Sequence, residues 1–160
     1  MTDLSALPAP EIIETLDYET ILANRKARFI SLYPTDEQAN ISATLALESE
    51  PVVKLLEENA YLEMTLRNRI NDAAKAVMIA YANDGDLDQL AANLDVERLT
   101  ITEADDTAMP PVDAVYEAND DLRSRIPLSL SALSVAGPAS AYKYHAMSAD
   151  GRVLDVGVSS

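Results

Sequence analysis

Cysteine and tryptophan are absent from this chain, and its 160 residues include one histidine, one phenylalanine and only four glycines. With no thiol, disulfide staples, cysteine nucleophiles and cysteine-ligated zinc are excluded. A single imidazole needs an orienting carboxylate and a partner group before it can do chemistry. The surroundings of His145, AYKYHAM, offer neither in a recognisable pattern, so a structural or surface role is expected for it. There is no glycine-rich phosphate loop and no Gly-x-Ser-x-Gly elbow, so the chain does not read as an enzyme and no small-molecule substrate or cofactor is expected. Basic residues are scarce, 12 against 27 acidic, which leaves a formal charge of −15. Binders of nucleic acid neutralise phosphates with Lys and Arg, so direct nucleic-acid binding is not expected, nor is adhesion to an anionic membrane. No apolar run approaches the roughly 20 residues that span a bilayer. The first residues, MTDLSALPAPEII, lack the basic and apolar regions of a signal peptide. A reducing cytoplasm, or an assembly released from it, is the expected setting.

What the chain does hold is apolar residues, 48% of the total, enough for a core. With so few aromatics, Leu, Ile, Val and Ala must do the packing, which suits helices. The stretch that organises the rest is Pro51 to Asn83, free of Gly and with its only Pro first, where a missing N–H costs a helix nothing. Within it Leu55, Asn59, Leu62, Leu66, Ile70, Ala73 and Val77 recur at steps of four and three, which places them on one stripe close to a coiled-coil seam. Roughly 32 residues would make a rod about 48 Å long. Such a rod outruns the core of a small domain, so its seam is expected to be the interface with another helix, in this chain or a second one.

The remaining segments are shorter. Residues 1–16, with Pro8 and Pro10, read as an extended arm. Asp17 is placed to cap a helix to about Leu32, with Tyr18, Ile21, Leu22, Phe29 and Leu32 on one side. Asp36 is placed to cap the next, with Ile41 and Leu45 sharing a face, and Pro51 separates that helix from the rod. Asn83-Asp84-Gly85 should stop the rod, Gly85 taking the left-handed position. Asp86 should then cap a short helix, with Gln89 in the capping-box position and Leu87, Leu90, Ala91 and Leu94 as its apolar face. Leu99 to Thr102 reads as an edge strand. Residues 103–118, with Pro110-Pro111, show little periodicity and read as a linker or a strap laid over a partner. A helix from Asn119 or Asp120 carries Leu122, Ile126, Leu130 and Leu133, with a kink expected at Pro127. Gly137-Pro138 opens a last helix, and Leu154, Val156 and Val158 mark one face of a strand. The expected organisation is residues 1–102 as arm and helical bundle with the long helix at about 51–83, residues 103–118 as linker, and residues 119–160 as a helical segment with the first strand of an α/β domain that is cut short. The fold class is thus mainly α, a long helix with shorter helices, followed by the start of a small α/β domain in the N-terminal portion of a longer chain.

Other candidate sites weaken on inspection. Asp84, Asp86 and Asp88 resemble the opening of a calcium loop, but Gln89 stands where Gly is required and Asp95 where Glu is. Helix stop and start signals explain these aspartates better, and no metal is expected. Glu57-Glu58, Asp105-Asp106 and Asp120-Asp121 are adjacent in sequence and point different ways on a helix, as solvated faces do. Asn59, Arg67, Asn68, Arg69 and Asn71 make the middle of the rod polar. Either this is an exposed face or Asn59 sets register against a partner helix.

Three segments together carry a family resemblance: LDYETILANRKARFISLYP, the run from TLALESEPVVKLLEENAYLEMTLRNRINDAAKAVMIAYAN through DGDLDQLAANLDVERLTIT, and LSVAGPASAYKYHAMSADGRVLDV. They resemble the baseplate assembly protein J family of contractile-tailed phages and phage-like injection systems, from about Leu16 to Val158. The joint pattern RxNxAAxAxxxAYA, a GxDLDxLA-like segment and SVAGPxxAYxxHAxSAD is specific, while Pro127 interrupts a helix that runs more smoothly in the family. The resemblance implies a structural component of the baseplate wedge, whose partners are other wedge proteins and further copies of itself, with sheath-initiating and hub-proximal proteins as further neighbours. It also implies assembly in the bacterial host cytoplasm and a place in the virion tail. The alternative is an acidic helical adaptor that pairs with a single cellular protein.

Overall fold

Asp17 begins the first helix as its position in the sequence demands: its carboxylate accepts from the Thr20 N–H at 2.8 Å and from the Thr20 hydroxyl at 2.6 Å. That side chain satisfies one of the donors a helix start leaves open. The computed structural model describes residues 7–8, 10–134 and 137–159. Its elements, in order, are α1 (Tyr18–Ile30), α2 (Gln38–Leu45), α3 (Pro51–Ala76), α4 (Asp84–Ala92), β1 (Thr100–Thr102), β2 (Val115–Tyr116), α5 (Asn119–Ala132) and α6 (Ala139–Met147). The protein is mainly α, with one small antiparallel ribbon, β1 against β2, as its only sheet among the described residues. No helix of the described residues is long and apolar enough to cross a membrane. Two compact units form, one reaching Ala74 and the other running from Lys75 onward.

The first unit packs α1, α2 and the first half of α3 around Ile21, Leu22, Leu45, Val53, Leu56 and Ala60, with Phe29, Ile41 and Met64 against them. Pro51 opens α3 and separates it from α2, as expected. Two details differ from the sequence reading. α2 starts after Glu37 with no side-chain cap, so Asp36 does not cap it, and Leu32 lies past the end of α1, exposed.

The second unit gathers Ala82, Leu87, Ala91, Val96, Leu122 and Ile126 into a core from α4, α5 and their flanks. Here the long helix ends at Ala76 rather than Asn83. Residues 77–82 turn instead, with Met78 N–H bonded to the Lys75 carbonyl and Tyr81 N–H to that of Met78. Arg123 sits inside this bend, its guanidinium donating to the carbonyls of Ile79 at 2.9 Å and Ala82 at 2.7 Å. α4 then starts three residues earlier than the capping-box reading has it, with Asn83 rather than Asp86 at the cap position. Asp84, not Gly85, takes the left-handed conformation, φ 47°. Asn119 holds it there, accepting from the Asp84 N–H and donating to its carboxylate, both at 3.1 Å, and Asp is among the few side chains that tolerate this region.

In α5, Leu122, Arg125, Ile126 and Ser129 are buried at helical spacing, whereas Leu130 and Leu133 are exposed, so the apolar stripe read from the sequence breaks after Pro127. Residues 153–159 form no strand; none of the described residues pairs with them in a ladder, and an unpaired strand has nothing to hold it. The turn before them is pinned by Asp150, which accepts from the N–H and the guanidinium of Arg152 at 2.9 Å each. Hydrogen bonds from Arg152 draw the Asp150 carboxyl from 3.8 down to about 2. A folded-state value depressed in this way means that the contribution of the turn is complete above pH 4 or so and is lost as pH falls toward 2. A carboxyl chemical-shift titration should find the midpoint near 2, returning toward 3.8 in Arg152→Ala.

Candidate partner interface

With 26 residues, α3 is about 39 Å long, and its two sides are put to different uses. At about 100° per residue, Val53, Leu56, Ala60 and Asn71 fall on one side, and they are its buried residues. Leu55, Asn59, Leu62, Leu66, Ile70 and Ala73 fall in a band about 80° wide, roughly a third of a turn away. That band is open: Leu55 is 61% exposed, Leu62 48%, Leu66 65% and Ile70 59%, with Ala73 exposed as well. Val77 is 70% exposed but lies beyond the end of the helix, so the helical part of the seam stops at Ala73. Tyr61, more than half exposed, lies one residue before Leu62. Four large aliphatic side chains in a row on one helix face form a contiguous apolar strip, the kind of surface that marks an interaction site rather than scattered exposure.

The polar residues that interrupt the rod prove to have separate tasks. Asn59 is half-buried and turns its amide back onto its own helix, donating to the Leu55 carbonyl at 2.8 Å. Asn68 and Arg69 are exposed. Asn71 is buried and clamps the extended arm: it accepts from the Glu14 N–H at 3.0 Å and donates to the Glu14 carbonyl at 2.8 Å. One side-chain amide thereby replaces a strand neighbour for that residue. Arg67 reinforces the clamp through the Glu14 carboxylate at 2.6 Å and also reaches Glu63, which pairs with Arg25. Asn71→Leu should leave both backbone groups of Glu14 without partners, at about 1–3 kcal/mol. Hydrogen exchange at the Glu14 amide should accelerate while α1 and α3 keep their protection.

In the second unit the polar groups are structural. Arg125 and Glu117, each 3% exposed, meet as a two-pronged pair at 2.7 and 2.6 Å. Arg125 also donates to the Glu97 carbonyl and the Ser148 hydroxyl, and Glu117 accepts from the Leu99 N–H. Arg98 joins Asp88, the Glu117 carbonyl and Asn119. Two of the three aspartates of the calcium-like run, Asp84 and Asp88, are thus engaged by Asn119 and Arg98, and no cluster of possible metal ligands forms among the described residues. His145 is exposed on α6, with Tyr144 edge-on to its ring. The Glu57-Glu58 pair diverges as expected, Glu57 bonding Lys54 and Glu58 facing solvent. Sequence reasoning passed over Arg125 and gave Asn71 no task of its own. The signal for Arg125 was present: it occupies the i+3 place of the stripe formed by Leu122, Ile126 and Ser129, where an unpaired charge cannot stand.

A folded helical unit with one long helix face left apolar and open places the chain among mainly α proteins that expose an apolar helix face. Comparison with known proteins shows what the chain is similar to. Residues 48–105, which contain α3, α4 and β1, match the family described as the Baseplate J-like N-terminal domain. Over 158 residues the chain is 57% identical to "Baseplate protein J" of Escherichia phage P2, an alignment that takes in 99% of this chain and 52% of that protein. The chain is thus similar to the baseplate J-like family, through a matched domain and through a relative aligned over nearly its whole length. It spans about half the length of that relative.

Proposed function

We propose that this protein is a structural component of the baseplate wedge in a contractile tail, and that α3 docks through Leu55, Asn59, Leu62, Leu66, Ile70 and Ala73 into a helical bundle with other wedge subunits and further copies of itself. The open strip on α3 is the observation that carries this reading. A monomer that kept four large aliphatic side chains in water would forgo about 25 cal/mol for each Å² of apolar surface left uncovered. Helix against helix is the economical way to cover a strip this narrow and this long. The acidic surface, −15 overall, keeps such a subunit soluble until it meets its neighbours. On this reading the role is mechanical: the wedge holds the tail closed and rearranges when contraction is triggered. Sheath-initiating and hub-proximal proteins are further neighbours, the tail baseplate of the virion is the site of action, and the host cytoplasm is where assembly takes place.

The test is co-expression of the full-length protein with the neighbouring tail proteins, followed by native mass measurement of the purified complex. A defined hetero-oligomer with more than one copy of this chain is the expected result. A monodisperse monomer that ignores those proteins would instead favour a free adaptor for a single cellular protein.

A further inference from the structure

The segment read from the sequence as a linker or strap, residues 103–118, is an ordered finger. β1 and β2 pair with Thr100 opposite Tyr116 and Thr102 opposite Val115. The ladder continues outward through Asp105 and Val112, which exchange both backbone hydrogen bonds at 2.9 and 3.0 Å. At the tip the Asp105 carboxylate accepts from the Thr107 N–H, the Thr107 hydroxyl and the Ala108 N–H. At the root the Glu117 N–H donates to the Leu99 carbonyl at 2.9 Å, and Arg98 grips the Glu117 carbonyl at 2.6 Å. The finger is therefore set from root to tip by its own bonds.

Its surface has two properties that an idle turn does not need. Met109 at the tip is 99% exposed, and Val112, Val115 and Tyr116 along the returning strand are about half exposed or more. Glu103, Asp105, Asp106 and Asp113 are all exposed, and no Lys or Arg occurs between Arg98 and Arg123. We propose that this finger is a second docking element, inserting Met109 into an apolar socket rimmed by Lys or Arg on a different polypeptide of the assembly. A second copy of this chain is the weaker occupant for the finger, because 27 acidic against 12 basic residues offer its carboxylates mostly like charge. Nucleic acid and anionic lipid are excluded by the same sign. An apolar tip on a pre-ordered ribbon loses little conformational freedom on insertion, and a flexible thioether adapts to the shape of its socket. The surrounding carboxylates select the basic rim and reject other apolar sockets.

The inference rests on the proposed function only in placing the chain within a multi-protein assembly; the finger and the α3 strip are separate surfaces. A benzophenone side chain placed at position 109 of the full-length protein, photolysed in assembled tails, should cross-link to a different tail polypeptide in a peptide that carries Lys or Arg beside apolar residues. Met109→Asp should lower the yield of assembled tails at least tenfold, and Met109→Leu should leave it within twofold. Asp106→Lys with Asp113→Lys should match the first, and Glu11→Lys with Glu97→Lys the second. Melting of the free chain checks the fold of each variant; should Met109→Asp melt early, the cross-link alone decides. Cross-links confined to this chain or its copies, no cross-link at all, or normal assembly by a stably folded Met109→Asp would overturn the finger. Intact assembly in strip variants alongside failure in finger variants would overturn the strip and leave the finger standing.

Discussion

Leu62→Asp and Ile70→Asp should each abolish formation of the multi-chain complex while leaving the isolated chain folded. Both side chains are about half exposed or more in the single chain, and exposed substitutions usually move stability by no more than about 0.5 kcal/mol. In a helix–helix seam the same carboxylate would be stripped of water with no cation opposite, at a cost of several kcal/mol. The missing burial of the aliphatic side chain adds about 1–2 kcal/mol. Since about 1.4 kcal/mol is a tenfold change in affinity, association should weaken by three orders of magnitude or more. Native mass measurement of the co-expressed complex reads the first half of this expectation, and thermal melting of the free chain reads the second. A complex of normal mass from either variant would place that face in solvent for good.

Arg125→Ala should cost the second unit about 3–5 kcal/mol, because it leaves the Glu117 carboxylate buried without its countercharge. The Leu99 N–H is the one remaining donor that reaches that carboxylate. Stabilities of whole domains are only about 5–15 kcal/mol, so much of the fold from β1 to α6 is at stake. Arg125→Lys keeps the charge but not the fork that reaches Glu117, Glu97 and Ser148 together, and should fall between. Arg125→Met combined with Glu117→Leu should recover part of the loss. It cannot recover all of it, because the Leu99 N–H and the Glu97 carbonyl lose their partners as well. Urea unfolding followed by hydrogen exchange in α5 measures the series. The two compact units need not unfold together, so a signal confined to this unit is required.

Wherever a local rule decided the outcome, the sequence was readable. Asp17 as a cap, Pro51 as a start, the buried Leu87–Ala91 face and the β1 strand all follow from short-range chemistry, and the structure has each. What could not be read were outcomes set by a distant side chain. The bend that follows Ala76 is held by Arg123, more than 40 residues on in sequence, which donates to the carbonyls of Ile79 and Ala82. α4 begins at Asp84 because Asn119 holds that residue. The pair of Pro residues at 110 and 111 hid a ribbon, since its strands are too short for periodicity to show and its tip is closed by one carboxylate. The stripe on α3 was legible from spacing alone. Which side of the helix the chain would cover itself was not, because two apolar bands a third of a turn apart compete for that place.

The neighbours Leu55 and Leu56 point to opposite fates, one to the outside and the other into the core. A roll of α3 by a single residue step, about 100°, would carry Leu55 toward the core and turn Leu56 out of it. The helix is thus keyed against rotation by its own packing. Any torque delivered along its outer edge must turn α1 and α2 with it or break the core, which is the behaviour of a shaft and not of a hinge.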